Sequence, residues 1–169
     1  MSDSTSLLLD AFERVSQQVH AAVEGLSSDQ LSTRIAADAN TIAWLIWHLT
    51  RVQDDHVSEL ANTEQVWISG DWSTQFGLPF EQVTTGYGQS GSEVAQVQNV
   101  DAQQLIGYFD AVHKQSTRFI GDLEIADLER VVDKRWDPPV TLAARLVSVI
   151  SDDLQHVGQA AFIRGLIER

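Results

Sequence analysis

Four stretches of this 169-residue chain repeat apolar side chains at three- and four-residue steps. Each is long enough for a multi-turn helix with one apolar face, and such faces are stable only when packed on one another. The first helix is predicted over residues 5–25, with Leu8, Phe12, Val15, Val19 and Ala22 on its stripe and Gly25 as its stop. The second is predicted over 41–61, capped by Asn40 or Thr41, with Leu45, His48, Leu49, Val52, His56 and Leu60 facing inward. The third is predicted over 101–123; Asp101 caps it, and Leu105, Phe109, Val112, Ser116 and Phe119 form its stripe. The fourth is predicted over 141–167. Asp137-Pro138-Pro139 ends an extended connector, Thr141 caps, and the stripe reads Leu142, Leu146, Val149, Asp152, Asp153, His156, Ala160, Ile163 and Ile167. No stretch of comparable length alternates with period two. The expected fold is therefore an all-α, up-down-type four-helix bundle, one domain over residues 1–169. Residues 62–100 hold Gly70, Gly77, Gly86, Gly88, Gly91 and Pro79, and read as a long connection between helices two and three, with a short helix near residues 92–96.

Charge and composition narrow the partners. The formal net charge of -13 argues against a nucleic-acid or anionic-membrane partner, because both reward a basic face. With no cysteine, thiolate nucleophiles, disulfides and Cys-ligated metals are excluded, and any thiol chemistry needs a thiol from outside. The N-terminal residues lack the basic and long apolar regions of a signal peptide, and no apolar run approaches the ~20 residues that span a bilayer. The expected location is cytoplasmic.

Polar residues within the inner stripes carry the chemistry. Asp152 and His156 lie four apart, hence one turn apart on one helix face. Burying a lone carboxylate there is costly, and a divalent cation offsets that cost. His48, on the inner stripe of the second helix, is the third ligand candidate. Two His and one carboxylate form a known catalytic zinc set with one position left open. Asp153 rivals Asp152, since i,i+3 spacing also sets it beside His156. His56, after Asp54 and Asp55, is a candidate spare ligand or proton shuttle, and Asp55 and Asp153 are candidates for the layer around the ligands. Arg145, two turns before Asp152, is a candidate to pair with Asp152 or Asp153 or to hold a substrate carboxylate. Trp67 and Trp72, in the long connection, either wall a substrate pocket or staple the connection to the bundle. Trp44 and Trp47 read as core or interface, and His20 and His113 as ordinary. Gly86-Tyr-Gly88 does not match a phosphate loop.

Thr41-Ile-Ala-Trp-Leu-Ile-Trp-His48-Leu with Asp54-Asp55-His56, and Ser151-Asp-Asp-Leu-Gln-His156-Val-Gly-Gln159, resemble helices two and four of the DinB-like superfamily. The stretch from Arg130 to Leu142 resembles one uncharacterised branch of it. The resemblance covers essentially the whole chain and implies a four-helix bundle, homodimerisation, and a metal held by three residues of helices two and four. Many members carry three His; this chain has Asp152 at the first helix-four position, where the mycothiol-dependent maleylpyruvate isomerase type has Glu. On that match His48, Asp152 and His156 are the ligands, of zinc or of nickel or iron. The implied activity is transfer or isomerisation with a low-molecular-weight thiol such as mycothiol on a small-molecule substrate. Metal-dependent hydrolysis and non-catalytic small-molecule binding are the alternatives.

Overall fold

The computed structural model describes residues 3–168; Met1, Ser2 and Arg169 of the expected unit lie outside them. The four long helices form where the apolar period predicts. They are α1 (Asp3–Val23), α3 (Ile42–Ala61), α7 (Ala102–Gly121) and α8 (Leu142–Ile167), with a one-turn α2 (Ser28–Leu31) between the first two. Their starts are set by side chains that satisfy orphan backbone donors. Thr41 and Thr141 accept from the amides of Trp44 and Ala144, and Asp101 exchanges bonds with Gln104 in a capping box. At the other end of α3, Asn62 takes a left-handed conformation and closes the helix.

The core falls into two clusters, one at each end of the bundle. The first gathers Val15, Val19 and Val23 with Leu45, Ile46, Leu49, Leu105, Phe109 and Ile163. The second gathers Phe12, Leu60, Ile120, Leu142, Leu146 and Val149. Thus the late parts of α1 and α8 meet the early parts of α3 and α7, so the long helices run up, down, down, up. This is a variant of the up-down-type bundle expected, and it explains the long connection: α3 and α7 are parallel, and the chain must travel back along the bundle to start α7.

That connection carries α4 (Val66–Ser69), α5 (Trp72–Phe76) and α6 (Gly91–Val94), the last beginning one position and ending two positions earlier than predicted. It is fastened to α3 by buried charge. The Asp54 carboxylate accepts the amides of Val66 (2.9 Å) and Trp67 (2.8 Å) and the Tyr108 hydroxyl (2.8 Å). Arg51, fully buried, donates to the carbonyls of Thr84 and Gln82 and lies 5.1 Å from the Trp67 ring centroid. Trp67 and Trp72 pack on Tyr108 and Phe76 in this aromatic layer. They staple the connection, the second of the two readings, and are not among the residues that line the cavity described below. Trp44 and Trp47 are also buried, so they offer no free surface for pairing.

Beyond α7 a 3-10 turn (Ile125–Glu129) leads to strands β1 (Val131–Asp133) and β2 (Val140–Thr141), which pair antiparallel. The predicted extended connector is therefore a hairpin, too short for period-two patterning to show. It delivers Asp133 to the side of α8.

Candidate metal centre

α3 and α8 pack antiparallel, which sets His48 beside His156 and His56 beside Arg145. His48, Asp152 and His156 each present one ligand-type atom within 4.8 Å of the others. Donors around a single ion at ~2.1 Å lie roughly 3.4 Å apart in a tetrahedron, so small side-chain rotations close the set.

Hydrogen bonds fix which ring nitrogens carry the protons. His48 Nδ1 lies 2.6 Å from the Thr85 carbonyl, and His156 Nδ1 lies 2.8 Å from the carbonyl of Asp152. A carbonyl only accepts, so each Nδ1 carries the proton and each Nε2 keeps a lone pair, as metal-ligating histidines require. Asp152 Oδ2 is buried; its near polar neighbour is His156 Nδ1 at 3.3 Å, an ion-pair contact too poorly aligned to satisfy it as a hydrogen bond. Two Nε2 lone pairs and an unmatched carboxylate oxygen fit a divalent cation. Burial holds the His48 imidazole below its ordinary value, and hence neutral. Burial also pulls His156 down, but its bonds to Asp152 outweigh this and leave it raised. A proton therefore competes with a metal at His156 as pH falls.

The roof of the site is backbone. Trp44 stacks on His48 with centroids 4.5 Å apart, and Trp44 Nε1 donates to Gln89. Gly86 has φ +96, and a Cβ there would meet His48 Nδ1 at 2.7 Å. Only glycine allows the loop to press its Thr85 carbonyl on His48. The Gly86-Tyr-Gly88 pattern, which led nowhere as a phosphate motif, is this close approach.

His48 and Asp152 open into a cavity of ≈ 390 Å³, lined also by Asp55, His56, Val52 and Ser148, with Thr85 and the exposed Tyr87 from the connection. Asp55 Oδ1 accepts from Gln65. Val52 is read from sequence only as an inward stripe residue, and Thr85, Tyr87 and Ser148 are not read as site residues; their common signal is proximity along α3, α8 or the glycine loop.

Several expectations need correction. Asp152 was expected to be the buried carboxylate, yet its side chain is 32% exposed while Asp153 is fully buried with both oxygens unpartnered. Asp152 is the member of the triad; Asp153 points away from it into the bundle. Arg145 contacts neither. Its Nη2 donates to Asp133 (3.1 Å), and its Nη1 lies 3.0 Å from His56 Nδ1. Because arginine only donates, His56 Nδ1 accepts and Nε2 holds the proton. Burial, then the Arg145 charge, holds His56 below its ordinary value. In this arrangement His56 accepts from Arg145 at Nδ1 and offers Nε2 as a donor.

Burial, then the Asp152 charge, pushes the Asp153 carboxyl well above the carboxylate range. Its folded value exceeds its unfolded one, so its stabilising share is complete below the unfolded value and is lost as pH rises toward the folded value. In metal-free protein, wild type should therefore lose stability relative to Asp153→Asn as pH rises from about 4. Urea unfolding of both proteins across that range measures it, and a constant difference would mean that Asp153 ionises normally.

A family model for mycothiol-S-transferase matches residues 7–169. The chain belongs to the mycothiol-S-transferase family. A solved structure from Enterococcus faecalis, titled "Crystal structure of the conserved protein of locus from Enterococcus faecalis", is 28% identical, with TM-score 0.92 and 100% of both chains covered. No curated protein matches the chain. Membership agrees with the DinB-like resemblance read from the His48 and His156 segments. No described helix is long and apolar enough to cross a membrane.

Proposed function

We propose that this chain is a metal-dependent thiol S-transferase, acting with mycothiol or a similar small thiol on a small electrophile in the ≈ 390 Å³ cavity. One observation supports the reading: His48, Asp152 and His156 each offer one ligand-type atom within 4.8 Å of the others, beside a cavity that His48 and Asp152 line, in a member of the mycothiol-S-transferase family. His48, Asp152 and His156 would hold a divalent ion, whose Lewis acidity would favour the thiolate over the thiol. The chain's own residues do the rest. Thr85 keeps His48 in the ligating tautomer. Asp55, held by Gln65, is the cavity carboxylate outside the triad and takes the thiol proton. The sulfur forms a bond to the electrophilic carbon as the bond to the leaving group breaks and its electron pair departs. His56, fixed as a donor, stabilises charge on the leaving side.

Zinc is the ion proposed, and the cytoplasm the location. Protein purified without a His-tag should bind about one zinc per chain by elemental analysis. With mycothiol and an alkyl halide it should form the thioether, read by mass spectrometry. Metal without thioether, but with ester hydrolysis, would replace the transferase reading by a hydrolase. A protein that takes no metal would sink the proposal.

Pairing of two copies belongs to the same proposal. The surface available is the outer face of α8, where Val147, Leu154 and Phe162 are 58%, 47% and 64% exposed. Light scattering should give two chain masses, and Phe162→Asp should give one.

A further inference from the structure

A second cavity of ≈ 340 Å³ adjoins the first, and His56 and Ser148 line both. Its other walls are different in kind: Arg135, Arg145 and Asp133, with Trp136 and Val140. The chain carries -13 overall, yet Arg130, Lys134, Arg135 and Arg145, four of its 11 basic residues, fall between positions 130 and 145. Two of them converge on this cavity. Asp133 accepts from Arg135 at 2.9 and 2.8 Å and from Arg145 at 3.1 Å, so two cations share one buried carboxylate. Glu59 lies 3.8 Å from Arg145, but its side chain is 68% exposed and screened by water.

Arg145 is itself 13% exposed, and the bonds to Asp133 and to neutral His56 engage two of its five N–H donors. Trp136, 67% exposed, lines the same cavity and leaves aromatic surface available to a ligand. A guanidinium with spare donors next to an aromatic face is a site for a carboxylate with an apolar body. Arg145 precedes Asp152 by seven residues, about 10 Å along α8. A ligand bridging both cavities therefore carries its carboxylate several bonds from the atom presented to the triad.

From this we infer that the second cavity is an anion subsite in which Arg145, assisted by Arg135, binds the carboxylate of the electrophilic substrate. The inference rests on the transferase reading for which partner carries the carboxylate, and it names that substrate's class: an apolar-bodied carboxylic acid.

The test compares 4-phenylbutyrate with its neutral amide by calorimetry, on zinc-loaded and on metal-free protein. The acid should bind about tenfold more tightly than the amide in both forms. Arg145→Met should remove that preference and leave amide binding unchanged. Arg135→Gln, at a position 83% exposed, should reduce the preference by about threefold and serves if Arg145→Met does not fold by circular dichroism. A preference present only with zinc would place the carboxylate on the ion and overturn the subsite. So would equal weakening of acid and amide by these variants, or no binding of the acid at millimolar concentration. Thioether formation by wild type is scored separately. An inactive protein that keeps the Arg145-dependent preference loses the transferase reading and keeps an anion site; an active one without the preference loses only the subsite.

Discussion

His48→Asn should lose zinc affinity by more than about a hundredfold, beyond the loss usual for removing an outer hydrogen-bond partner of a ligand. The Asn side-chain amide can occupy the place of Nδ1 and donate to the Thr85 carbonyl, so the roof of the site stays seated. What disappears is the Nε2 lone pair. His48→Ala should show the same zinc loss and a further fall in metal-free stability of about 1–3 kcal/mol. That fall has two sources: the Thr85 carbonyl loses its donor, and Trp44 loses the ring stacked on it. Chelator competition reads the first effect and urea unfolding the second. If His48→Asn binds zinc as wild type does, His48 is a core histidine that only fastens the glycine loop, and the metal centre has no third ligand.

The largest effect on stability should come from a residue outside the site. Asp54→Ala is expected to destabilise by about 3–5 kcal/mol, because it leaves Arg51 as a buried cation 3.6 Å from a missing partner. It also strands the amides of Val66 and Trp67 and removes the acceptor of Tyr108. Burial, then the Asp54 charge, pushes the Tyr108 phenol well above its ordinary value, so Tyr108 is firmly a donor here. Arg51→Met should cost less, since Asp54 keeps four donors, including Ser58, while two loop carbonyls lose theirs. Hydrogen exchange separates this from a general loss of stability: the Val66 and Trp67 amides should lose protection before the α1 core does. An Asp54→Ala protein within about 1 kcal/mol of wild type would mean that the aromatic layer alone holds the connection.

The ordering of these effects has a functional side. Arg51 and Asp54 hold residues 66–84, and the loop they anchor continues into Thr85 and Gly86 against His48. Residues one and two turns along α3 from His48 thus secure the loop that keeps its tautomer. A weakened Asp54 should therefore loosen zinc as well as fold.

Most of the helices and the three triad residues were legible without coordinates. Apolar period is a local property, and so is capping: Thr41, Asp101 and Thr141 mark their helix starts because the donors they satisfy are three residues away. His48 and the Asp152–His156 pair stood out because polar residues on inward stripes are costly and few. Yet the sequence left Asp152 and Asp153 open. Neighbours on a helix differ by 100° of rotation, and which one faces α3 depends on how the two helices are turned against each other. Packing turned Asp152 toward His48 of α3 and buried Asp153 alone. Packing likewise gave Arg145 to Asp133, which is twelve residues away along the chain and lies across a hairpin too short to leave a pattern. It sent Trp67 and Trp72 to Tyr108 and not to the cavity. It also brought Gly86 onto His48 from thirty-eight residues away. Sequence by itself determined the helices and the ligand types, since both follow from neighbours within a turn or two. Tertiary structure alone decided the helix directions, the His48 tautomer and the cavity walls, because each depends on a contact between groups that the chain holds far apart.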